Sequence, residues 1–253
     1  MVIPFGERII GFFRAVGEAT LLALQALWFL FKKPPKLEHF IKQLSYIGAE
    51  TLPVVAVTSF FSGGVIVVET YSTFHRFNAE SLLGAVVAIS MARELGPVLT
   101  ALMVVARVGS AMTAQIGTMK ITEQIDALRV LAVNPVRYLV TPRLVASTLS
   151  LPLLTIVADV VGILGGWFVA VKIFGVNDYL FWQKMRDIVE LHDFLGGLYK
   201  ATVFGFLIAT VSCYFGFATT GGTEGVGRAT TASVVVSSML VLIVDYFLSA
   251  LIF

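Results

Sequence analysis

One cysteine and three histidines in 253 residues leave little for metal or redox chemistry. A single Cys213 excludes an intramolecular disulfide, and its place inside an apolar block reads as a small buried hydrophobe. His39, His75 and His192 stand apart, with no metal-ligand spacing between them. Charge is equally scarce. Asp, Glu, Lys and Arg make up 13% of the chain, about half the share usual in soluble domains. The net charge of +2 offers no basic surface for nucleic acid. No Gly-x-Ser-x-Gly or His-Glu-x-x-His pattern occurs. The run Gly222-Thr223-Glu224-Gly225-Val226-Gly227-Arg228-Ala229 has the outline of a phosphate loop. It lacks the Lys and the following Ser or Thr that hold phosphate and metal, and it joins two apolar blocks rather than a strand and a helix. Its glycines are expected to make a tight cytoplasmic turn. The chain therefore carries no catalytic constellation and no cofactor, ATP or magnesium site of its own.

What the sequence has in quantity is apolar surface: 57% hydrophobic residues and a mean hydropathy of +0.89. That places it among integral membrane proteins and predicts an all-α fold, since a span needs about 20 apolar residues. Uncharged or nearly uncharged blocks at 51–68, 96–117, 144–171, 201–219 and 230–252 give five spans. A short helix is expected at about 79–92, set off from the second span by Arg93, Glu94 and Pro97. The first 50 residues read as a separate segment. Glu7, Arg8, Arg14 and Glu18 break up residues 1–18, and the run 19–31 is too short to span. It ends in Lys32-Lys33-Pro34-Pro35 with no small-residue cleavage site, so no cleavable signal is expected. Leu37, Phe40, Ile41, Leu44 and Ile47 then recur at helical spacing. The expectation is an N-terminal interfacial helical segment over 1–50, with an amphipathic helix lying in the interface, and a five-span domain over 51–253.

Basic residues set the expected orientation. Residues 1–50 hold Arg8, Arg14, Lys32, Lys33, Lys36 and Lys42, and the polar island between the second and third spans holds Lys120, Arg129, Arg137 and Arg143. Both belong in the cytoplasm, which leaves the C-terminus outside. Within the island, Ile121, Ile125, Leu128 and Ala132 form one stripe, with Glu123, Asp126 and Arg129 off it. Asn134-Pro135 ends the helix, so an amphipathic helix spans about 119–134. It is either a plain surface connection or a docking helix for a cytosolic subunit.

Ionisable residues inside spans face a bundle interior or a cavity. Here they are Arg93, Glu94, Arg107, Asp159, Lys200 and Asp245. Glu94, Lys200 and Asp245 fall on the outer side, where they can form one cluster, as a brace for the bundle or a gate on a path.

Several of these stretches resemble the MlaE (YrbE-like) permease family. They are Arg93-Glu94-Leu95-Gly96-Pro97-Val98, Ala106-Arg107-Val108-Gly109-Ser110-Ala111, Gly117-Thr118-Met119-Lys120 and Thr122-Glu123-Gln124. Asn134-Pro135-Val136-Arg137, Pro142-Arg143, Gly225-Val226-Gly227-Arg228-Ala229-Thr230-Thr231 and Asp245-Tyr246-Phe247 continue the likeness, which runs from about residue 45 onward. The resemblance implies a permease of an ABC transporter moving phospholipids between the two membranes of diderm bacteria. It implies an inner-membrane homodimer with two cytosolic ATPase subunits, which bind the ATP and magnesium. It further implies a hexameric periplasmic MCE-domain protein and, in some systems, a STAS-domain protein. By that likeness the island is the coupling helix, with Ile121, Glu123, Ile125, Asp126 and Leu128 toward the ATPase. A lipid pocket would be lined by Ile66, Thr73, Phe74, Phe77 and Leu95, beside the charge set Arg93, Glu94, Lys200 and Asp245. Glu69 near that pocket and Asp159 in the third span depart from the pattern. A permease for sterols or other hydrophobic molecules, and a scaffold that only anchors the partner chains, are the alternatives.

Overall fold

In the computed structural model the described residues are 3–32 and 37–253, with residues 3–9 and 12 described by their backbone alone. Of the Lys32-Lys33-Pro34-Pro35 stretch expected to end the apolar run 19–31, all but Lys32 lies outside the described residues. Eleven α-helices follow one another with no strand among the described residues. They are α1 (Ile3–Lys32), α2 (Leu37–Leu44), α3 (Leu52–Arg76), α4 (Leu83–Ser90), α5 (Gly96–Val104) and α6 (Ser110–Ile121). Then come α7 (Gln124–Val130), α8 (Thr141–Trp167), α9 (Asp178–Ile188), α10 (Leu191–Phe217) and α11 (Gly222–Ile252).

Six stretches are long and apolar enough to cross a membrane: Phe13–Lys32, Leu37–Arg76, Glu80–Ile121, Val136–Ile173, Leu191–Phe217 and Gly222–Ile252. Their number, length and composition are those of a multi-pass membrane protein. The sixth candidate, beyond the five expected spans, is Phe13–Lys32. The charges that interrupt its sequence do not interrupt its helix. Arg14 and Glu18 sit one turn apart and pair at 2.9 Å on an exposed side.

The second difference concerns Arg93 and Glu94. They do not separate two helices. From Glu80 to Ile121 the backbone stays helical, with π-turns at Met91–Leu95 and Val105–Gly109. Pro97 lacks a backbone donor, and the π-turn before it lets the Gly96 N–H reach back to the Met91 carbonyl. A wider turn thus absorbs the proline without a break.

The chain divides into two compact units. The first draws on Met1–Gln43, Val105–Ser147 and Phe206–Ser238. Its core gathers Ala26, Ile116, Ile125, Leu139, Val140, Leu144, Ala209 and Cys213. Thr113 is fully buried there and bonds the Ser212 carbonyl and the Ser233 hydroxyl, at 3.0 and 2.9 Å. The tight turn expected of the Gly222–Gly227 run lies earlier. Gly221 and Gly222 carry the positive φ values, +87° and +67°, whereas Gly225 and Gly227 already belong to the first turns of α11.

The second unit draws on Leu44–Val104, Thr148–Gly205 and Met239–Phe253. Its core gathers Val67, Leu83, Val87, Met91, Ala170 and Phe181. α3 and α8 touch backbone to backbone there. A Cβ on Gly63 would overlap the Gly162 carbonyl, and one on Gly165 would overlap the Phe60 carbonyl. Small residues permit such close packing where apolar burial alone gives helices no reason to associate.

Candidate functional site

In the second unit, Lys200 on α10 is fully buried. Burying an ammonium requires that all its donors be met. Nζ donates to the Arg93 carbonyl at 2.8 Å, to Glu94 Oε2 at 2.9 Å and to Ser249 Oγ at 2.6 Å. Asp245 Oδ1 lies 3.2 Å away, in ion-pair contact but off a hydrogen-bonding line. Pro97 explains the first partner. Residue 97 has no N–H to offer four residues back, so the Arg93 carbonyl is free to accept from lysine. Ser249 closes the ring by reaching Glu94 Oε1 at 3.0 Å. The structure therefore brings Glu94, Lys200 and Asp245 together, one buried cation facing two carboxylates.

Arg93, the fourth member of the expected set, turns elsewhere. Its guanidinium bonds Asp193 Oδ1 at 2.7 and 2.8 Å and lies over the Phe253 ring at 4.6 Å. Asp193 is buried, and its second oxygen accepts from the Glu190 N–H at 2.9 Å. Sequence reading missed Asp193, Ser249 and Phe253 as parts of this arrangement.

Three of the five expected pocket residues, Ile66, Phe74 and Leu95, pack half-buried against one apolar cluster. Thr73 and Phe77 are exposed, Phe77 to 77%. Glu69 is exposed as well. None of the five lines the cavity of about 420 Å³ at the end of α3, which takes Tyr71, His75, Glu80, Phe174 and Asn177 among its walls. There Tyr71 stacks on Phe174 at 4.1 Å, and His75 Nδ1 lies 2.5 Å from Glu80.

In the first unit the polar island is not one helix over 119–134. α6 runs on to Ile121, and a turn at Thr122-Glu123 precedes the seven-residue α7. Glu123 and Ala132 have φ values of 58° and 56° and bracket α7 at either end. Such angles are uncommon outside glycine and end helical continuation. Asn134 Oδ1 then accepts from the N–H groups of Val136 and Arg137, at 2.9 and 3.2 Å, and caps the next helical run. Ile121 therefore stands on α6. Ile125 is fully buried in the first unit's core, and Leu128 packs against it. Asp126 pairs with Arg129 at 2.8 Å. The outward surface is Glu123, Gln124, Ala127, Val130 and Leu131, the last two exposed to 86% and 72%. Beside it, a pocket of about 370 Å³ is walled by Arg129, Asn134, Pro135 and Val136 with Glu18 and Tyr214.

Comparison with known proteins agrees along the whole chain. The family model described as Permease MlaE matches residues 40–251. A probable ABC transporter permease protein of Rickettsia typhi is 44% identical over 248 residues, covering 98% of this chain and 96% of the relative. The intermembrane phospholipid transport system permease protein MlaE of Haemophilus influenzae is 38% identical over 261 residues, 100% of this chain and 99% of the relative. The chloroplastic protein Trigalactosyldiacylglycerol 1 of Arabidopsis thaliana is 35% identical over 236 residues, 93% of this chain and 67% of the relative.

Proposed function

Because the chain belongs to the MlaE permease family, we propose that it is the membrane subunit of an ABC transporter that moves phospholipids. One observation carries this reading: full-length identity of 38% to a relative named as a phospholipid transport permease. The chain's own residues fit it. It has no phosphate loop with the necessary Lys, so ATP hydrolysis belongs to a separate chain. Its outward ridge at Val130 and Leu131, next to Glu123 and Gln124, suits a helix-in-groove contact with that ATPase. Ile125 and Leu128 serve that contact indirectly, by anchoring α7 to the core. Ile66, Thr73, Phe74, Phe77 and Leu95 supply an apolar surface for acyl chains, and Glu94, Lys200 and Asp245 brace the helix ends beside it.

The working assembly in this proposal is an inner-membrane homodimer with two ATPase subunits in the cytoplasm and a periplasmic MCE-domain hexamer. A STAS-domain protein is a further partner in some systems. The N-terminus and the island lie in the cytoplasm and the C-terminus outside, with α1 lying in the interface. Its apolar residues Phe13, Leu21, Leu24, Trp28 and Phe31 are exposed, as that location requires. ATP binding and hydrolysis shift the dimer between two arrangements through the coupling segment, pressing lipid between the pocket and the periplasmic partner.

Replacing Phe74 or Leu95 by Arg tests the transport role. The expected outcome is a complex that assembles with its ATPase and periplasmic partner but moves no phospholipid. Normal transport by both variants would remove the pocket assignment. Assembly without transport by the wild type would favour a scaffold.

A further inference from the structure

Asp159 is the one carboxylate of α8, 3% exposed, and neither an ion pair nor a hydrogen bond holds it among the described residues. Its Oδ1 rests on Gly96, where a Cβ would occupy the same space. An ionised carboxylate in a dry interior needs a compensating charge or donors. The charged groups of the neighbouring elements are already engaged or turned away. Arg93 pairs with Asp193, Glu94 and Asp245 with Lys200, and Glu69 on α3 is exposed.

Two buried hydroxyls nearby share this lack of partners: Ser59 Oγ on α3 and Thr100 Oγ1 on α5, each 1% exposed. In apolar helices such hydroxyls ordinarily bond their own backbone one turn back. Thr58, Ser62, Thr70 and Thr155 all do so here. Ser59 and Thr100 do not. Helix register brings them toward Asp159. Tyr71 stacks on Phe174, and Val67 shares a cluster with Ala170, so α3 and α8 run alongside in one direction. Continued back two turns, Ser59 falls level with Gly162, about one turn past Asp159. On the other side, Gly166 meets Val87, Gly162 meets Met91 and Asp159 meets Gly96, so that stretch runs the opposite way. Thr100, the next turn on the face of Gly96, falls about one turn before Asp159. Ser59 and Thr100 thus flank Asp159 on opposite sides, each within about one turn, ~5.4 Å, of its level.

We propose that Asp159, flanked by Ser59 and Thr100, is a monovalent-cation site inside the second unit, taking sodium or a proton. One carboxylate is neutralised by one positive charge, and a flanking hydroxyl oxygen is a hard ligand suited to an alkali ion. The site lies one turn from the Gly63–Gly162 contact of α3 with α8 and against Gly96 at the start of α5, so its occupancy sets how firmly those helices hold together.

The test uses the full chain in nanodiscs of phosphatidylethanolamine and phosphatidylglycerol. Labelling of Asp159 by dicyclohexylcarbodiimide is mapped by peptide mass spectrometry, and the thermal midpoint is followed by tryptophan fluorescence. Both are measured with sodium chloride or choline chloride, from mildly acid to alkaline pH. If the occupant is sodium, sodium blocks labelling and raises the midpoint at alkaline pH, and Thr100→Val weakens both effects. If it is a proton, labelling and midpoint fall as pH rises, with or without sodium. In either case Asp159→Asn loses the dependence. Should that variant not fold, wild-type labelling decides. Absence of any sodium or pH effect on wild-type labelling and midpoint would overturn the proposal, as would an unchanged dependence in Asp159→Asn.

Discussion

Replacing Lys200 by Met isolates the energetics of the buried charge knot. Methionine keeps most of the side-chain volume and removes only the ammonium. Glu94 Oε2 and Asp245 Oδ1, at 2.9 and 3.2 Å from Nζ, would then face each other without a cation between them. Breaking one partner out of a buried ion pair costs about 3–5 kcal/mol. The Arg93 carbonyl, which Pro97 leaves without a helical donor and which accepts from Nζ at 2.8 Å, would lose its partner for about 1–3 kcal/mol more. Glu94 is only partly buried, its side chain 43% exposed, so water would relieve some of this. A loss of about 3–4 kcal/mol is expected overall. It should be measured as unfolding of the full chain in mixed micelles titrated with denaturing detergent. The background matters more than the single value. With Glu94→Gln and Asp245→Asn already present, Lys200→Met should cost less, about 1–3 kcal/mol, the share of the carbonyl alone. A single-variant cost below about 1 kcal/mol, the range of exposed pairs, would refute the reasoning. So would an equal cost in both backgrounds.

Three further outcomes follow from the packing. Gly63→Leu should prevent the approach of α3 to α8, because a Cβ already overlaps the Gly162 carbonyl; loss of folded protein in size-exclusion chromatography checks it. Ile125→Asp should destabilise the first unit by about 3–5 kcal/mol, as a charge placed in a core, whereas Leu131→Asp should leave the thermal midpoint unchanged and weaken capture of the ATPase. Gly96→Ala should lower the midpoint by displacing the Asp159 carboxylate, and Asp159→Asn should not rescue it, since the amide is as large.

Much of the charge knot was legible because a charge within an apolar block must find a partner. Glu94, Lys200 and Asp245 could be grouped from their positions near the expected span ends alone. Asp193 and Ser249 could not, since both sit in stretches where their residue types are ordinary. The helical run through Arg93 and Glu94 was misread for a physical reason. Proline in mid-helix signals a break, and only the structure reveals the π-turn that accommodates it. The polar island shows a different limit. Its period of apolar residues identifies a face, but a period does not say what the face meets. Ile125 and Leu128 turned out to meet the chain's own core, and the surface left for a partner lies at Val130 and Leu131. In α1 the apolar residues and the Arg14–Glu18 pair were both visible, but nothing in the sequence showed that they share one unbroken helix.

The most direct measurement is ATP-dependent transfer of labelled phospholipid in proteoliposomes holding this chain with its ATPase and periplasmic partner, wild type beside Leu95→Arg. Transfer by the wild type, with its loss in an intact Leu95→Arg complex, is the expected result. Equal transfer by both, or none by an assembled wild-type complex that still hydrolyses ATP, would contradict a phospholipid path through this permease.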